Sequence, residues 1–281
     1  MTFGLDVLAE LTRLSGVVVV ATTTTLGLLD DRRRNPFVPI LIGTLLLASG
    51  CVLVLITTVA PIASRLEEPL LALALEYFQT TTHGPQLLTP ILPAIYALLL
   101  AEGLRIADAP GFRQGLYWML GATVVAMLAL MAASGHVAIT EWDHIGMFLQ
   151  IVHMSTAVAW VAIVLALLPR LWTGQPLTGA LTKVGNVALT LVIILIVTGI
   201  ASAWLHGARL PWPLAEDYGR LLLLKTSVLL LAIAAAGWNR FIEVPAAVNR
   251  EARIRAVLGF EAFILLMALL LAAWLTRTPP P

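Results

Sequence analysis

The sequence predicts an all-α membrane bundle of about eight transmembrane helices, both termini on the outer side. Three observations carry this. Of 281 residues, 59% are hydrophobic and only 12% charged. Soluble domains average about 25% charged residues, so most of this surface must meet something other than water. Mean hydropathy is +0.93. Apolar runs long enough to span the hydrocarbon core recur along the chain; each crossing needs roughly 20 residues. Eight such runs and short loops leave no room for a separate soluble domain. The whole chain, 1–281, reads as one integral membrane domain in contact with lipid.

The runs fall at about 5–29, 37–60, 87–107, 115–135, 145–168, 184–205, 219–238 and 255–276. The first begins MTFGLDVLAELTR, without the basic start and small-residue cleavage site of a secretory signal, and reads as a retained helix. Breaks between runs are rich in Pro, Gly and charge: DDRRRNP at 30–36, ADAPGFR at 107–113, the stretch from Pro169 to Pro176, and LPWPLAEDYG at 210–219. The longest connection, 61–86, contains LEEPLLALALEYF. It suits either an amphipathic helix lying on the membrane or a short helix packed on the bundle.

Orientation follows from Lys and Arg in the loops. One side collects Arg32, Arg33, Arg34, Arg105, Arg113, Arg170, Lys183, Arg240, Arg250, Arg253 and Arg255. The other has only Arg13, Arg65, Arg209, Arg220, Lys225 and Arg277 out of the 17. The richer side is assigned to the cytoplasm. A net charge of +1 argues against a nucleic-acid partner. The single cysteine, Cys51, excludes an internal disulfide framework and reads as small buried packing.

With this topology all five histidines fall at or near the outer face. His83 precedes the third run, His136 ends the fourth, His144 opens the fifth, His153 lies inside it, and His206 ends the sixth. Imidazole suits copper, and thioether sulfur suits Cu(I). Met147 and Met154 lie on the fifth run beside His144 and His153. His144 and His153 are nine residues apart and point to opposite sides of a regular helix. Gln150, His153, Ala157 and Trp160 share one face, which makes His153 the inward candidate. His136 ends the neighbouring helix across a loop of about nine residues, so the two imidazoles can approach. Met154, Met147, His83 or a water would complete a metal site. Interface capping is the favoured reading of His83, His144 and His206, and packing that of Met127 and Met131.

Charges inside the spans should pair or face a wet cavity. Asp6, Glu10 and Arg13 share a face of the first helix, with Glu10 expected to pair with Arg13 or Lys225. Glu102, Glu261 and Asn239 lie near cytoplasmic ends, where snorkelling to the interface would accommodate them. Neither a phosphate-binding glycine loop nor a His-Glu-x-x-His helix is present, so a conventional enzyme is not expected.

Several stretches resemble the copper resistance protein D (CopD) family of bacterial inner-membrane proteins: SGHVAI at 134–139, HMSTAVAWVAIVLALLP at 153–169, YGRLLLLKTSVLLLAIAAAGWNRF at 218–241, LTRTPPP at 275–281, and FQTTTHG at 78–84. The resemblance spans about 60–281 and is strongest from 134 onward. It implies an eight-helix bundle of the inner membrane that binds a copper ion and moves it across, inward from the periplasm. It also implies a small periplasmic CopC-like copper-binding partner, here a separate chain. His136 and His153 match positions that carry copper in the family, and Trp160 matches its His-x(6)-Trp motif. Where members of the family often show Trp-x-Gly-Gly, this chain reads Trp160-Val161-Ala162-Ile163, so Ala162 and Ile163 replace the glycines and close space around the fifth helix. Two other readings stay open: a haem-binding or quinone-linked redox protein using two axial histidines, and a copper chaperone that does not transport.

Overall fold

The computed structural model describes residues 2–29, 35–134, 143–173, 178–205, 217–245 and 251–278. His136 and His206, with Arg32, Arg33, Arg34, Arg209 and Arg250, lie outside the described residues. Within them the elements are α1 (Thr2–Leu29), α2 (Phe37–Leu66), α3 (Leu70–Thr80), α4 (His83–Leu88), α5 (Ile91–Ile106), α6 (Pro110–Ala133), α7 (Asp143–Leu167), α8 (Pro169–Thr173), α9 (Thr178–Leu205), α10 (Asp217–Trp238), a π-helical turn (Asn239–Glu243) and α11 (Glu251–Thr276). No strand occurs among the described residues. The fold is all-α, as the hydropathy pattern predicts.

Among the described residues, seven helical stretches are long and apolar enough to cross a membrane: Phe37–Leu66, His83–Ile106, Pro110–Ala133, His144–Leu171, Ala180–Leu205, Asp217–Glu243 and Ala252–Thr276. They correspond to the second through eighth expected spans, and the chain is a multi-pass membrane protein. The first expected span, α1, is a long helix that falls outside these seven; its N-terminal half carries Asp6, Glu10 and Arg13. The observed spans mostly start two to five residues before the apolar runs, and the third and fourth stop short of them, at Ile106 and Ala133.

The chain packs as two compact units, Met1–Ile151 and Val152–Pro281. In the first unit α2 is central, packed against α1, α3, α4 and α5, while α6 packs on α1 and α5. The α1–α2 approach is close because glycines line it. A Cβ on Gly16 would run into the backbone of Leu47 and Gly43, and one on Gly50 into the backbone of Arg13. Small residues at such a crossing let two backbones make extensive van der Waals contact, the main attraction available in lipid. α2 stops where Glu67 takes a left-handed conformation (φ 56°), followed by Glu68 and Pro69. α3 then packs on α2 and α4, with Leu71 and Leu75 exposed.

In the second unit α10 and α11 pair closely, and the π-turn touches α9 and α11. Arginines cap helix ends in both units. Arg113 donates to the carbonyls of Leu104 (2.6 Å) and Ala107 (3.2 Å) at the end of α5. Arg255 donates to those of Arg170 and Leu171 in α8, both at 2.8 Å. Cations at helix C-termini satisfy orphan carbonyls and complement the helix dipole.

Candidate metal-handling site

His153 lies on α7 within the second unit, half-buried. Its Nδ1 is 3.1 Å from Thr198 Oγ1 of α9. The hydroxyl of Thr198 has one proton, already donated to the carbonyl of Ile194 at 2.7 Å and, more weakly, to that of Leu195 at 3.2 Å. Its oxygen can therefore only accept from the ring, and we assign the proton to Nδ1 on this network. In the neutral imidazole this leaves the lone pair on Nε2. A hydrogen bond that fixes the tautomer and aims the other nitrogen is the usual support of a metal-binding histidine.

Gly199 lies beside the same Nδ1 edge of the ring. A Cβ there would lie 3.3 Å from His153 Cε1 and 3.7 Å from Nδ1, so the missing side chain leaves the imidazole its seat against α9. Lys225 of α10 lies within electrostatic reach of the ring.

Seven residues further along α7 the same face carries Trp160, as the spacing predicts. Trp160 is 1% exposed and its indole Nε1 donates to Glu261 Oε1 of α11 at 3.1 Å. Glu261 is 5% exposed. The expected snorkelling of Glu261 is therefore corrected: the carboxyl points into the bundle. Ile254, Leu258, Glu261 and Leu265 all lie on the buried stripe of α11, and a side chain on that stripe cannot reach the interface. Asn239, also expected to snorkel, is 3% exposed, with both side-chain amide atoms buried and no hydrogen-bond partner for either. It opens the π-turn, where Val244 N–H donates to the Asn239 carbonyl at 2.8 Å. Such turns inside α-helices are frequent at functional sites. Glu102 does remain exposed, paired with Arg105 at the end of α5.

The other expected ligands that are described lie on α4 and α7. Met154 follows His153 on α7 and is half-buried; on a regular helix the two side chains diverge by about 100°. Met147 is half-buried and His144 exposed in the first turns of α7, within the first unit. His83 is half-buried at the start of α4, edge-on to Tyr77 with ring centroids 6.4 Å apart. Among the described residues no three of His, Cys, Asp and Glu gather closely enough to hold a metal ion.

The first unit buries a polar cluster of its own. Arg13 Nη2 donates to Glu10 Oε1 at 2.7 Å, and both residues are 5% exposed. Arg13 is one of the two partners expected for Glu10. Arg13 Nη1 also lies 3.5 Å from Ser134 Oγ at the end of α6. Cys51 is buried with its thiol free, as expected for packing.

Residues 178–275, holding α9, α10, the π-turn and nearly all of α11, match the family model for copper resistance protein D, CopD. No curated protein and no solved structure matches the chain. Thr198, Gly199, Lys225, Asn239 and Glu261 lie inside the matched stretch, and His153 and Trp160 lie before it. The helices that seat the His153 ring from α9 onward thus lie in a stretch, about a third of the chain, that is similar to the copper resistance protein D family.

Proposed function

We propose that this protein binds copper through His153 Nε2 and carries it across the bacterial inner membrane, inward from the periplasm. The observation that carries the reading is the Thr198 hydroxyl, whose committed proton leaves His153 Nε2 as the ring's free donor atom. The similarity of α9 to α11 to a copper resistance family supports copper as the metal. Borderline imidazole nitrogen suits copper in either common oxidation state.

Lys225 has a role in this reading. When protonated, it opposes a metal ion on His153 and keeps the site weak. A transport site must hold its ion tightly enough to load and loosely enough to release. His136, Met154, Met147 and His83 are proposed as further donors along the route, each tested by its own alanine variant. Delivery to the outer face would fall to a periplasmic CopC-like protein.

The test is copper accumulation in cells expressing the protein, paired with copper flux in reconstituted liposomes. Expression should change cellular copper, and His153→Ala should abolish the change while the variant inserts normally. Copper bound by the purified protein without flux in liposomes would favour a chaperone instead. A Soret band in the purified protein would favour haem.

A further inference from the structure

Glu261 is a buried titratable group that copper binding at His153 does not use. It sits in the span Ala252–Thr276, roughly 14 Å along the helix axis from its first residue at 1.5 Å per residue. Ionisable residues at such depth are costly and mark ion or proton pathways more often than packing. Structural pairing would be the bland explanation, but the partner seen for Glu261 is the neutral indole of Trp160, not a cation.

The geometry of that bond matters. Oε1 accepts from Trp160 Nε1 whether the group is a carboxylic acid or a carboxylate. Oε2 is left to gain or lose a proton with no change at the indole. The arrangement tolerates both protonation states, unlike a salt bridge, which selects one. Trp160 ties the group to the transport face: it lies seven residues from His153 on α7, about 20° away in azimuth and roughly 10 Å along the axis. Besides His153, the titratable groups on elements packed against α11 include Lys225 of α10 and Glu243 of the π-turn. Glu243 accepts from Trp238 Nε1 at 2.9 Å. Asn239, buried and unpartnered, offers a polar surface at the far end of α10.

We propose that Glu261 is a proton-exchange site, taking up and releasing one proton at Oε2 in each copper transport cycle and so coupling copper flux to the proton gradient. The O–H bond formed on uptake breaks on release, water being the proton's source and acceptor. This rests on the copper-transport reading above.

The test uses the intact protein in liposomes, with a copper-sensitive dye and a pH-sensitive dye read together. Copper flux in the wild type should be accompanied by proton movement of defined sign. Glu261→Gln keeps the acceptor for Trp160 but cannot exchange a proton; its proton movement should vanish and its copper flux should lose dependence on the pH gradient. Glu261→Asp should restore part of both. Copper binding measured on purified Glu261→Gln should match the wild type, which separates loss of coupling from misfolding. Copper flux without proton movement, or proton movement intact in Glu261→Gln, overturns the coupling and leaves transport standing. No copper flux in the wild type overturns transport, and coupling with it.

Discussion

His153 Nδ1 and Thr198 Oγ1 stand 3.1 Å apart across the α7–α9 contact, with the hydroxyl proton committed to Ile194. The bond fixes the ring's tautomer before any metal arrives. Thr198→Val keeps the shape and removes the acceptor. Copper affinity should fall about 10- to 100-fold, the usual loss when a metal-binding histidine loses its supporting partner. Isothermal titration of Cu(I) and Cu(II) into the purified variant checks this, with thermal stability as a control.

Lys225 predicts the opposite sign. Lys225→Met removes an amine that, when protonated, repels a metal ion at His153, and keeps an apolar stem. Copper should bind several-fold more tightly and leave more slowly. Equilibrium titration and stopped-flow release measure the two effects. Unchanged affinity would place Lys225 outside the copper field.

The Glu10–Arg13 pair of α1 is almost wholly buried. Removing one partner leaves an uncompensated buried charge, so Glu10→Ala should cost about 3–5 kcal/mol of stability. Thermal unfolding in detergent reads the loss. Replacing both residues with apolar ones of similar size should recover much of it.

Gly16 meets backbone on α2, not flexible side chains. A methyl there cannot be accommodated by a rotamer change, and α1 must move away from α2. Gly16→Ala should cost about 1–3 kcal/mol, as overpacking generally does. Gly111, with open space where its Cβ would stand, should accept Ala at little cost.

The helices were legible because a membrane span needs a run of apolar residues, and seven of the eight expected runs stand as apolar spans. The face shared by His153 and Trp160 was legible from spacing alone, since both lie on one regular helix. The burial of Glu261 and Asn239 was not. Snorkelling depends on which way a helix is rotated, and α11 is apolar nearly all round, which hides its buried stripe. One signal was present: Glu261 falls in step with Ile254, Leu258 and Leu265 at three- and four-residue intervals. The Thr198 contact was invisible for a different reason. It joins residues 45 apart in sequence, and nothing in the α9 pattern singles out one threonine.

The central claim is that His153 binds copper through Nε2. Copper-edge X-ray absorption on the copper-loaded wild type and on His153→Ala tests it most directly. The account predicts imidazole scattering in the wild type and one fewer imidazole nitrogen in the variant. The same number of imidazole nitrogens in both would contradict it.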